Sequence, residues 1–563
     1  MESMMTSATT DPETATRTQG QSIPVLIVGG SLVGLTTSLL LSSYGIDNLV
    51  VEKHRGTAIH PRAASFHQRT MEVYRHAGIQ DAVEKAAALE FVQNGAIVAV
   101  ESLCGKELQY FYKSWNEGVE DLSATSRLFI TQVGLEPVLR DAASDRGARH
   151  EYGEELVSFT QDADGVSAVL QPRDGAASHE VRAQYLVAAD GAHSTIREQL
   201  DIPMDGHGSS DCITIYFKAQ MREMIGDRNL SVIYVLHPNL LGFFRFSFDA
   251  GSGFLSIFSV TDPETGEHRD LVSDIGEERC IEYVRMALGC SDDIPIEIES
   301  VQQWEASASS ARRYSKGRVF LAGDSAHTMP PTGGWGGNTG VADAHNLAWK
   351  LALVLKGHAD PALLDTYDAE RRPTGLMTME QAYAIYAGRY AERATDDTKP
   401  LAEPLEAEAV ELGSVYRSAG VIGDGGHEYG DGEESAVHDP RATQPPVGAR
   451  VPHLELTRDG APLGVHDLFT DGYTLLAAPQ GHRWQKAATA LAARDNLPLS
   501  AVRIAADGDL FSADGAFEAA YGVPEDGAII VRPDGVLAWR TSDADTDADR
   551  AVETAMSRLL ARA

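Results

Sequence analysis

The sequence predicts an α/β protein: a Rossmann-like βαβ domain, an aromatic antiparallel sheet inserted into it, and a smaller α/β domain at the C-terminus. Three observations predict this. A glycine-rich turn, Gly29-Gly30-Ser31-Leu32-Val33-Gly34, joins an apolar strand at 25–28 to a helix at 31–44 and a strand at 48–52. Residues 206–262 are β-rich and aromatic. A stretch rich in Gly, Asp, Glu and Pro at 421–447 separates this body from a last segment that alternates strand and helix patterns.

After the βαβ opening, a helical stretch is expected near 68–90, strands near 91–112, a helix at 133–146, and strands at 154–171 and 183–189. A helix follows at 275–289, then a strand ending at Ala322 and a helix carrying Leu347, Leu351, Val354 and Leu355 on one face. Asp343 and Lys350 fall on its other faces, so this helix reads as amphipathic. Further helices are expected at 361–395 and 402–419. The expected division is a disordered tail at 1–21, a discontinuous nucleotide-binding domain at 22–205 and 300–395, and a β-sheet substrate domain at 206–299. A helix and linker at 396–447 and a last domain at 448–563 complete it.

Composition excludes several classes. With 47 basic and 82 acidic residues the net charge is −35, which argues against nucleic acid or an anionic membrane surface as partner. The four cysteines, Cys104, Cys212, Cys280 and Cys290, form no CxxC pair, so a disulfide framework, a thiolate metal site and dithiol redox chemistry are not expected. Cysteine usage fits a cytoplasmic protein. No His/Asp/Glu cluster has metal spacing, so no metal is expected. The apolar run 25–41 contains three glycines and reads as strand, turn and helix rather than a bilayer span.

Three motifs carry chemistry. In the first, Gly29 permits a tight turn and Gly34 close helix–sheet packing, while the helix N-terminus stabilises a pyrophosphate. Ser31 stands where the middle glycine of such turns usually lies. Glu52 ends the next strand, placed to accept hydrogen bonds from a ribose; Lys53 follows it. The second motif, Asp190-Gly191-Ala192-His193-Ser194-Thr195-Ile196-Arg197, follows a strand and also reads as simple capping. The third runs from Gly323-Asp324-Ser325 through Pro330-Pro331 to Gly336-Gly337-Asn338 and Gly340. So many glycines in one loop cost backbone entropy unless a flat ligand approaches closely. Asp324, at a strand end, suits sugar-alcohol hydroxyls.

In this order and spacing, over about residues 23–395, the motifs resemble those of the class A flavoprotein monooxygenases, the family of p-hydroxybenzoate and phenol hydroxylases. The resemblance implies a glutathione-reductase-type FAD-binding domain and a set of cofactor residues. Gly29, Ser31, Gly34 and Glu52 hold the ADP half, with Lys53 beside them. Arg62 and Gln132 touch FAD, Asp190 and Arg197 serve FAD and pyridine nucleotide, and Asp324 binds the ribityl chain. Pro331, Gly336, Gly337 and Asn338 lie at the flavin ring. It implies a transiently docked NADPH or NADH, dioxygen as co-substrate, and hydroxylation of an aromatic molecule through a flavin C4a-hydroperoxide. A Baeyer–Villiger or epoxidising reaction on the same fold, and an FAD-loaded binder without turnover, stay open. Residues 448–563, in βαβαββα order, resemble the thioredoxin-like appendage of phenol hydroxylase and polyketide-tailoring hydroxylases. With no Cys after Cys290, this domain is expected to serve packing or dimer contacts in a monomer or homodimer.

For the substrate, alternation along a strand at 242–248 predicts that Phe244, Phe246 and Phe248 share a face, joined across a turn by Phe254 and Phe258. Tyr216 in a neighbouring strand, with Trp335 and Pro331 in the flavin loop, would complete an aromatic wall for a planar polycyclic substrate; sheet core is the competing reading for each Phe and for Tyr216, and the more frequent one for any single Phe. The base that deprotonates it is not identified by any motif.

Overall fold

The computed structural model describes residues 22–60, 64–237, 239–258, 260–261, 268–269, 275–291, 293–390, 404–423, 436–513, 515–541 and 547–562. The expected tail at 1–21 lies outside them.

The first sheet has eight strands. Its parallel part runs Arg149–Tyr152, Asn48–Glu52, Ile23–Val28, His179–Ala188, Val319–Leu321. The central strand is fully apolar and its last four residues are buried, as expected when both faces are covered. The helix Leu32–Ser43 covers one face, together with Trp335–Leu355. Ligands of such sheets bind at the carboxyl ends of the strands. Four adjacent strand ends carry the sequence motifs: Gly29 after Val28, Glu52, Asp190 after Ala188, and Asp324 after Leu321.

The second sheet also has eight strands, in the order His327–Thr328, Glu297–Ala311, Met204–Lys218, Ser252–Phe258, Leu240–Phe246, Leu230–His237, Ala96–Val100, Glu107–Tyr112. It therefore draws strands from both sides of residues 206–299. The helix Glu277–Leu288 covers one face with Cys280, Tyr283, Val284 and Leu288.

The C-terminal segment holds a four-stranded sheet ordered Leu499–Arg503, Tyr473–Ala477, Ala528–Val531, Leu537–Arg540, the first pair parallel and the rest antiparallel. Helices His482–Asp495 and Ala548–Leu559 pack on one face, and Ala516–Tyr521 joins the core of the other.

Three expected helices differ. The stretch near 68–90 is two helices, Gln68–His76 and Gln80–Glu90. The helix expected at 402–419 is only Ala407–Leu412; Ser414–Val415 then pairs as a strand with Ala436–Val437. The helix expected to be amphipathic, Trp335–Leu355, is buried on nearly every side, and Asp343 and Lys350 are 0% exposed. Its charged faces are covered because partners neutralise them. Lys350 Nζ lies 2.8 Å from Glu370 on the helix Asp365–Tyr390. Glu370 in turn takes both Arg532 nitrogens at 2.6 and 2.9 Å. Arg532 comes from the C-terminal segment and also grips Asp534. Burial lowers Lys350 to about 8 despite Glu370. Burial opposes ionisation of Glu370, but Arg532 and Lys350 outweigh it and hold the carboxyl far below its usual range. Arg450 to Glu72 and Arg75 to Asp467 add two further ties.

A buried charge left without its partner costs more than a surface pair returns. Glu370→Ala is therefore expected to destabilise the protein by about 3–5 kcal/mol, read as a fall in the denaturant midpoint. The surface substitution Arg173→Ala, which breaks an exposed pair with Glu155, is expected to change it by less than about 1 kcal/mol.

Candidate functional site

The groove lies where two helix N-termini converge. At the first, Gly29 has φ +109°, and a Cβ on it would sit 2.1 Å from Ala189 O. A Cβ on Gly34 would sit 1.9 Å from Gly29 O. Backbone blocks both positions, so only glycine fits. Val33 is wedged against the third motif: a Cβ on Gly323 or on Gly340 would meet Val33 Cγ2 at 2.8 or 2.5 Å.

Neither helix that opens onto this groove is capped by its own N-cap side chain or has an acidic residue in its first turn, although Glu136 accepts from Leu32 N at 3.0 Å. Ser31 precedes Leu32–Ser43, and left-handed Gly334 precedes Trp335–Leu355. By contrast, Ala548–Leu559, remote from the groove, is capped by Asp547. Helix ends without caps present N–H groups and positive potential to an anion or a polar ring. Together with the glycine cradle this fits the pyrophosphate and flavin ring of FAD.

Several expected residues meet here. Glu52, 9% exposed, accepts hydrogen bonds from Gly30 N (2.7 Å) and His54 N (2.8 Å), which fixes its carboxylate beside the turn. Gln132 donates to Ser31 Oγ at 3.2 Å. Asp324 stands exposed on the short turn Gly323–Ser325, between two buried neighbours. Pro331, Gly336 and Gly337 are half-buried at the rim. Lys53 is exposed beyond the strand end, and Arg62 lies outside the described residues. Asp190 accepts from Ser194 Oγ (2.6 Å) and Ile196 N (3.3 Å), so its carboxylate is engaged in its own turn. Arg197 reaches Ser325 O at 3.2 Å and ties that turn to the Asp324 turn.

The flavin loop is shorter than expected, because the helix begins at Trp335 and Gly336–Gly340 form its first turns. Gly333 and Gly334 both have positive φ, and a Cβ on Gly334 would meet Ser65 Oγ at 2.4 Å. Asn338 contributes its side chain as well as its backbone. Its Oδ1 accepts from His67 N (2.9 Å) and Thr70 Oγ1 (2.6 Å), and its Nδ2 donates to Ser65 O (3.1 Å) and Gly334 O (2.7 Å). Trp335 is 3% exposed and packs with Ala382, Val410, Met329 and Met377. It anchors the loop from behind and is not part of the aromatic wall.

Two carboxylates escaped sequence reasoning. Glu136, fully buried, accepts from Ser31 Oγ (2.5 Å), Leu32 N (3.0 Å) and Ala58 N (2.6 Å). Burial raises its affinity for a proton, although these bonds oppose that. Its spacing of four from Gln132 on one helix face was the available signal. Asp343 accepts from Gly323 N (3.0 Å), His327 Nε2 (2.7 Å) and Arg371 Nε (2.8 Å). Burial opposes its charge, but His327 and Arg371 outweigh that and hold it below the usual range.

The aromatic wall is corrected. Phe244 pairs with Leu255, so even-numbered residues of Leu240–Phe246 share a face with odd-numbered residues of Ser252–Phe258. Phe244 and Phe246 therefore turn toward the helix Glu277–Leu288, among Leu255, Ile257 and Phe217. Phe248 lies beyond the strand and is exposed. The opposite face carries Tyr216, Phe243, Phe254, Phe258 and Trp304. Phe243 lies 6.3 Å from Phe254 and 6.1 Å from Phe258, and Tyr216 lies 6.2 Å from Phe254. Phe243, Phe254 and Trp304 are only half-buried.

Comparison with known proteins identifies the family. A family model described as an FAD binding domain matches residues 22–382, and one described as the C-terminal domain of aromatic-ring hydroxylases matches 444–563. The chain belongs to the FAD-binding aromatic-ring hydroxylases; it is an FAD-dependent aromatic monooxygenase. A 4-methyl-5-nitrocatechol 5-monooxygenase from Burkholderia sp is 44% identical over 96% of this chain and 98% of its own. Tetracenomycin A2 monooxygenase-dioxygenase from Streptomyces glaucescens is 37% identical over 96% and 97%. The crystal structure of aklavinone-11 hydroxylase with FAD and aklavinone superposes with a TM-score of 0.87 at 35% identity, covering 97% of this chain and all of the other.

Two expectations follow from the groove. Gly29→Ala places a methyl group into Ala189 O and is expected to yield protein without the visible absorbance of bound flavin, measured after reconstitution with FAD. The second concerns Glu411, whose Oε1 lies 3.0 Å from Arg127 and 3.8 Å from His67 behind the flavin loop. Burial pushes Glu411 up to about 7 from 4.5, although Arg127 opposes this. The folded state therefore holds that proton more tightly than the unfolded chain. The stability it contributes is fully present below 4.5 and lost as pH rises toward 7. The melting temperature of Glu411→Gln minus that of the wild type is thus expected to increase from pH 4.5 to 7, measured by scanning calorimetry.

Proposed function

We propose that this monooxygenase uses NADPH or NADH and dioxygen to hydroxylate a planar phenol, of polycyclic polyketide type, lying against Tyr216, Phe243, Phe254 and Phe258. The observation that carries this is one face of the second sheet on which Phe243, Phe254 and Trp304 are half-buried beside the buried rings of Phe258 and Tyr216. Rings left partly uncovered gain apolar contact when a flat ligand is laid on them. When bound, FAD supplies the redox chemistry that activates dioxygen. The chain's own residues do the rest. The glycine turns bring backbone N–H groups to the cofactor, and Asp324 is placed for its ribityl hydroxyls. Asn338 holds the loop to residues 65–70, and the N-terminus of Trp335–Leu355 stabilises negative charge on the ring. The helix Asp365–Tyr390 closes over the aromatic face, with Tyr386 6.1 Å from Phe258, and limits the entry of water.

The aklavinone and tetracenomycin enzymes support the polycyclic reading by the substrates in their names. A second reading, a monocyclic nitrocatechol, is favoured by the 44% identity to the Burkholderia enzyme. No helix among the described residues is long and apolar enough to cross a membrane.

The test is mass spectrometry of products from a panel of polycyclic phenols, quinones and 4-methyl-5-nitrocatechol, incubated with the holoenzyme, NADPH or NADH, and oxygen. The expected result is ligand-accelerated oxidation of the nicotinamide with an oxygenated polycyclic product. Peroxide release without oxygenated product from any panel member contradicts it.

A further inference from the structure

A phenol held against the aromatic sheet needs a group that takes its proton, because the phenolate is the more nucleophilic form. One residue on that sheet, His207, combines a β-bulge with a buried carboxylate partner. In Met204–Lys218, the pairing with Glu297–Ala311 slips: Gly208 faces Ala308 and Gly206 faces Ser309, which leaves His207 as an extra residue. Such bulges re-aim a side chain and are frequent beside active sites. This one is fixed by its flanks. A Cβ on Gly206 would lie 1.9 Å from Ala308 O, and Gly208 has φ +87°.

The bulge sends His207 against the helix Asp365–Tyr390. Its ring stacks on Tyr383, centroids 3.9 Å apart and planes 2° from parallel. Its Nε2 lies 2.9 and 3.0 Å from the two oxygens of Glu380. The two side chains are 9% and 8% exposed. The same stretch of helix touches both halves of the site. Ala382 O accepts a hydrogen bond from Thr332 in the flavin loop at 2.6 Å, and Tyr383 packs into the cluster of Phe243, Phe258 and Trp304.

We propose that His207 is the base that accepts the proton of the substrate's phenolic hydroxyl, with Glu380 as its positioning residue; this rests on the phenol hydroxylation proposed above. An ionised carboxylate only accepts hydrogen bonds, so Glu380 assigns the proton to Nε2 and leaves the lone pair on Nδ1. Among the described residues no hydrogen bond reaches Nδ1. In the step, the phenolic O–H bond breaks, its electron pair stays on oxygen, and an N–H bond forms at Nδ1. The resulting imidazolium is stabilised by Glu380 in contact. The ring oxygen recovers a proton when the product regains aromaticity. The other charged or titratable groups near this position are Tyr383 and Tyr386 on the helix, Cys212 on the strand, and Asp205. The last is neutralised by Arg312 at 2.6 Å. Glu380 is thus the carboxylate in contact with His207.

The experiment uses holoenzyme and 4-methyl-5-nitrocatechol, whose ionisation changes its visible spectrum. On the wild type the bound phenol is expected to ionise at least tenfold more readily than the free compound. His207→Gln is expected to abolish most of that gain while keeping FAD content and melting temperature. Turnover with the best phenol of the panel is expected to fall by about a hundredfold near neutral pH and to recover as pH rises and the phenol ionises unaided. Glu380→Gln shifts both readings in the same direction by less, and carries the test if His207→Gln does not take up FAD. Phenol-stimulated turnover with an unchanged pH profile in these variants overturns the assignment alone. A wild type that neither binds nor oxidises any phenol overturns it together with the function on which it rests.

Discussion

The site depends on one contact: Val33, in the first glycine turn, fills the notch between Gly323 and Gly340 of the third motif. No side chain larger than hydrogen fits at either glycine without moving Val33. Through this contact the helices Leu32–Ser43 and Trp335–Leu355 approach closely enough for their N-termini to flank one groove. Sequence separates the two turns by about three hundred residues; packing density brings them together. The glycines that weaken each segment locally are those that permit the close approach.

Charge then fixes what packing brings together. Asp343 joins the Gly323 turn, His327 and Arg371. One and two helical turns further on, Asn346 and Lys350 meet Glu370 and, through it, Arg532 of the C-terminal segment. The helix that begins at the flavin loop is therefore clamped from its third turn to its fifth by buried pairs. The C-terminal sheet closes the other end, with Tyr473 5.9 Å from Trp349. Such pairs contribute position more than net stability, because desolvation offsets most of their attraction.

The first domain was legible because its signals are local. A strand, a glycine turn and a helix follow one another within residues 23–43, and the carboxyl-end rule places the ligand. Gly29, Glu52 and Asp324 stood out by their places at strand ends, whereas Gln132 came only from the family resemblance. The aromatic wall was only half legible, because strand alternation says which residues of one strand share a face, not how two strands register. A single step of register moved Phe244 and Phe246 to the helix side and brought Phe243 to the other. The buried faces of Trp335–Leu355 were hidden for a related reason: a lysine and an aspartate read as solvent-facing until their partners, distant in sequence, are known. His207 gave no signal at all. Only a bulge makes it face Glu380, and bulges follow from pairing rather than from composition.

The helix Asp365–Tyr390 spans the groove proposed to hold the cofactor and the aromatic sheet face proposed to hold the substrate. Val33 against Gly323 and Gly340 shapes the groove proposed to hold FAD. Fluorescence titration of FAD onto Gly340→Val tests this, because the added side chain displaces Val33 from the notch and removes no polar group from the groove. The account predicts binding weakened by about a hundredfold or more, with far-ultraviolet dichroism unchanged. An affinity within about threefold of the wild type would contradict it.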